Sequence, residues 1–188
     1  TDLGGPSANM YMMKGKDLGL CEKCTRASCI FPSICSNLNY DHKPLINLYK
    51  KVSTMAGNLF IGSGIRYDML QGASREKTVQ FGLNEYTRLI ISRHVSGRLK
   101  VAPEHSDSDV LKMIRKPSFD SFLKFRETFY NQCKKAGKKQ EIVPYLISSL
   151  PGSTVEKMAE LAGELADIGY KPQQVQDFTP TPMTLATV

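Results

Sequence analysis

The cysteines are the first feature of this chain that could do chemistry. Four of the five lie in one short segment, as Cys21, Cys24, Cys29 and Cys35, and Cys133 stands apart. Thiolates that converge in a compact loop bind zinc or an iron-sulfur centre, and four of them satisfy a tetrahedral site. The spacing of Cys21 and Cys24 fits such a site, whereas the later gaps are longer than most zinc modules have. The segment therefore predicts either a metal site or structural cysteines.

A second set of capable residues is polar and follows short apolar runs. Lys100 lies inside such a run, so it needs a partner or an open environment, because burying an unpaired ammonium is costly. Glu104 and His105 end the same run, where solvated loop residues and ligand-binding residues are both common. Arg66 either pairs with Asp68 or holds an acidic group of a substrate. We take Arg66 and His105 as candidate substrate residues.

The apolar runs themselves predict the elements that position these side chains. β-branched-rich runs predict strands near residues 59–62, 99–102, 142–147 and 175–178. The gaps between them carry apolar stripes at helical spacing, namely Val79, Leu83, Tyr86 and Ile90; Phe122, Phe125, Phe129 and Cys133; and Val155, Met158, Ala159, Ala162 and Leu165. This alternation predicts an α/β fold of parallel strands with right-handed crossovers, either an open sheet or part of a β/α barrel. Four strands cannot close an eight-stranded barrel.

Composition and charge narrow the class of protein. The chain has 188 residues, enough for one substantial core, and a formal net charge of +7. The positive charge favours phosphates or nucleotides, but the basic residues are spread along helix-like segments, so nucleic acid is not the favoured partner. No apolar run approaches the ~20 residues of a membrane span, and no secretion signal is present, which predicts a cytoplasmic protein without a membrane partner. Both ends of the sequence resemble cuts from a longer polypeptide.

Several of the strand-end segments match a known family. In both candidate architectures, ligands bind at the carboxyl ends of the strands, and those ends are polar and glycine-rich here. The chain resembles the YgiQ-type subgroup of radical S-adenosylmethionine (SAM) proteins through the segments 2–11 (DLGGPSANMY), 63–68 (SGIRYD), 94–105 (HVSGRLKVAPEH) and 178–183 (FTPTPM).

The resemblance implies a fold and an activity. It implies that residues 1–188 are one domain, a partial (β/α) barrel forming the C-terminal part of a radical SAM core. Residues 1–42 would hold a strand-end Gly-Gly segment and the cysteine-rich loop, and residues 43–188 would hold repeated β/α units. The full-length enzyme would bind a [4Fe-4S] cluster through a CxxxCxxC loop, take an electron from flavodoxin or ferredoxin, and cleave SAM to a 5′-deoxyadenosyl radical. That loop is absent from this sequence, so we expect it upstream and expect the fragment to be inactive alone.

The resemblance also implies the residues that contact SAM. Gly4 and Gly5 match the glycine motif whose backbone receives the methionine amino group, although Pro6 stands where many members have an acid. Lys100 and Glu104 match polar positions suited to the ribose hydroxyls or the methionine carboxylate. The fifth-strand segment that packs on adenine corresponds to Ile147, Ser149, Pro151 and Gly152.

Two questions stay open from the sequence. The substrate and the reaction are not assigned. The clustered cysteines match neither the spacing nor the position of the radical SAM loop, so any metal there would be zinc or an auxiliary iron-sulfur cluster. The alternative to the enzyme is a non-catalytic metal-binding or nucleic-acid-binding module organised by these cysteines. The Phe residues favour the enzyme, because they fall on a helical core stripe and not on an exposed stacking face.

Overall fold

A computed structural model describes residues 7–55, 57–172, 174–182 and 187 of the chain. The helices of this described part are α1 (Leu18–Glu22), α2 (Lys43–Ser53), α3 (Arg75–Gln80), α4 (Leu83–Leu89), α5 (Ser108–Met113), α6 (Phe119–Ala136) and α7 (Val155–Asp167). Its strands are β1 (Lys14–Gly15), β2 (Leu38–Asn39), β3 (Arg98–Glu104), β4 (Glu141–Ser148) and β5 (Gln176–Asp177). A short 3-10 turn covers Tyr67–Leu70, and a π-helical turn, Ile90–His94, continues α4.

A parallel sheet of three strands is the centre of the fold. β3 pairs in parallel with β4 and β4 with β5, and the strands lie in the order of the chain. The described residues therefore form an α/β fold, and they do not close a barrel. The strands predicted near residues 99–102, 142–147 and 175–178 are confirmed. An isolated parallel bridge joins Ile65 to Val101 on the other side of β3.

The strand predicted near residues 59–62 is wrong. These residues form no strand ladder, and the bridge lies further along the chain, at Ile65. The Ile61 amide instead donates to the carbonyl oxygen of His94 over 2.8 Å. The imidazole Nδ1 of His94 lies 2.9 Å from the carbonyl oxygen of Leu59. The backbone of this apolar run is thus bonded to the end of the π-helical turn and not to a neighbouring strand.

The stripe on α6 is confirmed as the helical side of the core. Phe122, Phe125, Phe129 and Cys133 are all buried in it. α6 ends at Gly137, whose φ of 64° is the left-handed conformation that favours glycine at the end of a helix.

The stripes in the other two gaps are confirmed only in part. Between α3 and α4 the chain turns at Gly82, with φ 64°, so Val79 is exposed while Leu83, Tyr86 and Ile90 are buried. A Cβ on Gly82 would lie 3.1 Å from the Lys43 side chain, so a larger residue would also crowd α2. On α7 the buried residues are Leu161 and Leu165, whereas the predicted stripe residues Val155, Ala159 and Ala162 are exposed.

Residues 14–40 form a smaller layer that carries the cysteines. β1 and β2 pair antiparallel, with Lys14 opposite Asn39, and enclose α1 and the cysteine-bearing loop. A second small core anchors this layer and consists of Tyr40, Met69, Phe81 and Leu83. No helix of the described chain is long and apolar enough to cross a membrane.

Candidate functional site

A cavity of about 380 Å³ lies at the carboxyl end of β3. We call it the strand-end cavity. Its lining includes Ser7, the segment Gly64–Asp68, Lys100, Glu104, Lys116 and Tyr145. The Ala8 amide donates to the carbonyl oxygen of Gly64 over 2.9 Å, so the segment that follows the Gly-Gly motif runs along one wall. The two adjacent segments 7–10 and 64–68 thus meet the end of β3 at one place.

Glu104 occupies a strained backbone position at the edge of this cavity. Its φ is 67°, and the His105 amide donates across it to the Pro103 carbonyl oxygen over 2.9 Å. This i to i+2 bond with positive φ is the rare, strained form of the γ-turn. Such strain costs ~1–3 kcal/mol in a residue other than glycine and is concentrated at functional sites. The turn presents the Glu104 carboxylate to the cavity.

An ion pair holds the Glu104 side chain. Lys116 Nζ donates to Glu104 Oε1 over 2.7 Å, and the two side chains are 19% and 17% exposed. Such shielding from water makes the pair stronger than a surface salt bridge, and the remaining exposure keeps the carboxylate accessible to a ligand. Lys116 follows α5 in the chain, so this helix contributes to the position of the carboxylate.

Arg66 also lines the cavity and is held by Asp68. Arg66 Nε donates to Asp68 Oδ1 over 3.0 Å and Nη2 donates to Oδ2 over 2.5 Å, a bidentate pair. Burial acts to lower the pKa of Arg66, but the Asp68 carboxylate outweighs it, so this pKa is raised and the charge is fixed. Of the two alternatives that the sequence left open, the structure places Arg66 in the pair with Asp68.

Tyr67 brings a buried phenol to the same wall. The residue is 3% exposed, and its hydroxyl has no hydrogen-bond partner within the described residues. Burial, followed by the neighbouring Asp68 carboxylate, raises the pKa of Tyr67 well above its usual value, so the phenol stays protonated. A buried hydroxyl without a partner is costly, and this one is enclosed by the protein, with the Tyr67 ring packed against Phe122 and Phe125.

The Asn9 side chain holds the backbone of Arg66 through two hydrogen bonds. Its side chain accepts from the Arg66 amide over 2.7 Å and donates to the Arg66 carbonyl oxygen over 2.9 Å. Its Nδ2 also lies 3.4 Å from Nε2 of His42, which is buried, and His42 Nδ1 lies 2.8 Å from the Tyr40 carbonyl oxygen. A neutral His42 with its proton on Nδ1 satisfies both contacts. The start of α2 is thereby connected to the wall of the cavity.

Lys100 lies on β3 beside the cavity and is exposed to solvent. The ammonium forms no ion pair with a carboxylate in the described part of the chain. The sequence required either a partner or an open environment for this lysine, and the structure gives it the open environment. It is therefore available to an acceptor on a ligand.

His105 is buried and is not among the residues that line the strand-end cavity. Its Nδ1 accepts from the amides of Ser106 and Asp107, at 2.9 and 3.0 Å. Nε2 must then carry the proton, which it donates to Ser153 Oγ over 3.2 Å. Burial lowers the pKa of His105, so the ring is neutral. Its observed contacts connect the loop after β3 to the loop after β4, and both ring nitrogens are used in them.

The predicted adenine segment lies at the end of β4, next to the strand-end cavity but not in its lining. Ser149 has a φ of 59°, the second left-handed residue other than glycine at a strand end. Gly152 has φ 78°, and a Cβ there would lie 3.0 Å from the sulfur of Met113. Ile147 pairs with Gln176 of β5, and Pro151 begins the turn that contains Gly152. The turn therefore packs on α5.

The remaining predicted residues are not gathered at this cavity. Gly4 and Gly5 lie outside the described residues. The clustered cysteines are all free thiols; Cys35 is partly buried and the others are exposed. Across residues 7–55, 57–172 and 174–182, no three His, Cys, Asp or Glu side chains are grouped to hold a metal ion.

Three residues of the site were missed by the sequence analysis. Lys116 gave no local signal, because a lysine after a helix is common on any surface. Tyr67 lies inside the family-like segment 63–68, so its position was marked but its burial was not. Asn9 lies inside one of the family-like segments, so its position was marked but its contacts were not. The contacts of Lys116 with Glu104 and of Asn9 with Arg66 join residues that are not neighbours in the chain.

Over its whole length, the chain is similar to part of several longer proteins. It is 52% identical to a UPF0313 protein of Bacteroides thetaiotaomicron and 49% identical to one of Porphyromonas gingivalis, in each case over all of this chain and 30% of the relative. It is 42% identical to a UPF0313 protein of Chromobacterium violaceum, of which it covers 24%. No family model and no solved structure matches the chain. Over its whole length the chain is thus similar to UPF0313 proteins, and it spans less than a third of the length of these relatives.

Proposed function

We propose that this chain is the SAM- and substrate-binding part of a radical SAM enzyme. The observation that carries the proposal is the strand-end cavity, where Glu104 is held in a strained γ-turn beside the open Lys100 ammonium. Polar groups gathered at the carboxyl ends of parallel strands are where β/α enzymes bind their ligands. The same segments resemble those of radical SAM proteins, and this resemblance is the reason for naming SAM as the ligand.

The order of the segments supports a partial barrel. Ala8 contacts Gly64, Ile65 bridges Val101, β3 pairs with β4, and β4 pairs with β5. Each segment thus lies beside the next one in the chain, without the reversal of order found in a doubly wound sheet. Sequential order is the arrangement of β/α barrels. We therefore infer that the described sheet is an arc of such a barrel.

The strand-end cavity fits SAM in size and chemistry. Ligand sites of small molecules span ~300–1,000 Å³, and this one is about 380 Å³. The Glu104 carboxylate would accept from the ribose hydroxyls or the amino group, and Lys100 would donate to the methionine carboxylate. When bound and reduced, SAM supplies the 5′-deoxyadenosyl radical.

The iron-sulfur cluster does not fit the residues of this chain. The sequence contains no CxxxCxxC motif, and the described residues hold no group of three metal ligands. We therefore assign no step of radical formation to this chain. Its own residues would bind and orient SAM, and the cysteine loop, together with an electron donor such as flavodoxin or ferredoxin, would belong to other parts of the system.

Titration with SAM tests this assignment. In the full-length polypeptide that carries this chain, reconstituted with iron and sulfide, we expect Glu104→Gln and Lys100→Ala each to weaken SAM binding by ~1.5–3 kcal/mol, the range for hydrogen bonds to charged groups. Glu141→Gln is the matched control, because Glu141 forms an exposed pair with Arg98 outside the cavity. Unchanged SAM affinity in both cavity variants would reject the assigned contacts.

A further inference from the structure

A second cavity, of about 490 Å³, lies beside the strand-end cavity. Its walls are the segment 30–36 of the cysteine-bearing loop, the segment 71–74, and the segment 115–118 that leads into α6. Asp68 and Pro117 line both cavities, so the two are neighbours across these residues. We call the second one the basic cavity.

The charge of the basic cavity is strongly unbalanced. Four cations line it, Lys16, Lys77, Arg115 and Lys124, against the single carboxylate of Asp68, which Arg66 already neutralises. In the described part of the chain six other cations form ion pairs with carboxylates, but none of these four does.

The bonds that these cations do form leave their charge in place. Lys16 Nζ donates to the Ser36 carbonyl oxygen over 2.9 Å, and Arg115 Nη1 donates to the Ala27 carbonyl oxygen over 3.3 Å. Carbonyl oxygens orient a cation without neutralising it. The cavity therefore keeps a positive potential, which concentrates anions.

The other groups of the wall suit an anion that carries an organic part. Ser118 and Ser121 line the cavity at the start of α6, where the Ser118 side chain forms no cap and Ser121 Oγ lies 3.3 Å from Oε1 of Gln71. The N-terminal end of this 18-residue helix also favours negative charge. Tyr40 and Phe81 give an aromatic wall, with ring centroids 4.7 Å apart. The wall thus combines cations, hydroxyl donors and an apolar face.

We propose that the basic cavity binds a phosphorylated small molecule. Four cations with hydroxyl donors match the charge and the acceptors of a phosphoryl group, and the volume is that of a small-molecule site. If the proposed function holds, this molecule is the substrate, because its cavity adjoins the one assigned to SAM. The binding itself does not depend on that function.

Titration with inorganic pyrophosphate tests the proposal. The full-length polypeptide is used in the presence of saturating SAM, so that the strand-end cavity is occupied. We expect the Lys77→Gln, Lys124→Gln double variant to raise the Kd for pyrophosphate at least tenfold. These two lysines are exposed, so the substitutions should not unfold the protein. The matched control is Lys134→Gln, Lys135→Gln, at the far end of α6 and outside the cavity, which should change Kd less than twofold.

Three other outcomes would overturn the proposal. Equal weakening in both double variants would show diffuse charge attraction and no site. Equal affinity for citrate would show a general anion site without selectivity for phosphate. Tighter binding of a single-stranded oligonucleotide, weakened by all four substitutions, would identify a nucleic-acid surface instead. Pyrophosphate binding at this cavity without any SAM binding would leave the proposal standing and would reject the proposed function.

Discussion

The strained turn at Glu104 predicts that two substitutions of this residue differ in their effect on the unfolding free energy although both weaken SAM binding. Replacing Glu104 by glutamine removes the charge that pairs with Lys116 but keeps a residue with a side chain at φ 67°. Replacing it by glycine removes the same charge and also relieves the backbone. The difference in unfolding free energy between the two variants therefore reports the strain, because the lost ion pair is common to both.

The magnitude follows from two opposing contributions. Relief of a left-handed residue other than glycine returns ~1–3 kcal/mol. The added freedom of glycine in the unfolded chain costs ~0.5–1 kcal/mol. We therefore expect Glu104→Gly to be more stable than Glu104→Gln by up to ~2.5 kcal/mol. Both variants should nevertheless bind SAM more weakly than the wild type, since both lack the carboxylate.

Urea unfolding and SAM titration of the same three proteins check this prediction. Glu141→Gln again serves as the control, and its stability should stay within ~0.5 kcal/mol of the wild type because the Glu141 pair with Arg98 is exposed. A glycine variant less stable than the glutamine variant would show that the turn stores no strain. Wild-type SAM affinity in the glutamine variant would show that the strained position does not serve binding.

Three further predictions concern other parts of the chain. Lys100→Ala should weaken SAM binding and leave the unfolding free energy unchanged, because Lys100 is exposed and forms no ion pair with a carboxylate of the described residues. A lower unfolding free energy in urea would contradict this prediction. Burial lowers the pKa of His42 from 6.5 to about 4. The unfolding free energy should therefore be highest above pH ~6.5 and fall by about 3 kcal/mol as the pH drops through 4. In urea unfolding, His42→Gln should lose this pH dependence, and the same dependence in the variant would refute the prediction. Iron and sulfide should load the isolated chain, as read from its absorption spectrum, only if Cys21, Cys24, Cys29 and Cys35 converge. No 5′-deoxyadenosine should form when SAM and dithionite are added; production that is lost on replacing these four thiols would show that they form the radical-generating site.

The sequence was most informative where local pattern and packing agree. The apolar runs at β3 and β4 and the Phe stripe of α6 were predicted correctly, because each element buries one continuous face. The run near Leu59 was as apolar, yet it forms no strand, because its backbone is bonded to His94. Such a long-range pairing leaves no periodic signal in the sequence.

The sequence indicated where in the chain the site residues lie, but it did not indicate which residues contact one another. Lys100 was found because a lysine inside an apolar run is unusual, and Glu104 was assigned through the family resemblance of its segment. Three features were not found, because each depends on how distant segments pack: the ion pair of Lys116 with Glu104, the buried and unpaired Tyr67 hydroxyl, and the hydrogen bonds of Asn9 to the Arg66 backbone. The left-handed backbone of Glu104 was also hidden, because glutamate gives no warning of a positive φ.

The central claim is that this chain holds SAM for radical chemistry in a larger enzyme. The most direct measurement is the yield of 5′-deoxyadenosine from SAM and dithionite with the anaerobically reconstituted full-length polypeptide. We expect cleavage by the wild type, a yield reduced at least tenfold at subsaturating SAM by Glu104→Gln, and no reduction by Glu141→Gln. A fully reconstituted protein that neither binds SAM nor forms 5′-deoxyadenosine would contradict the claim.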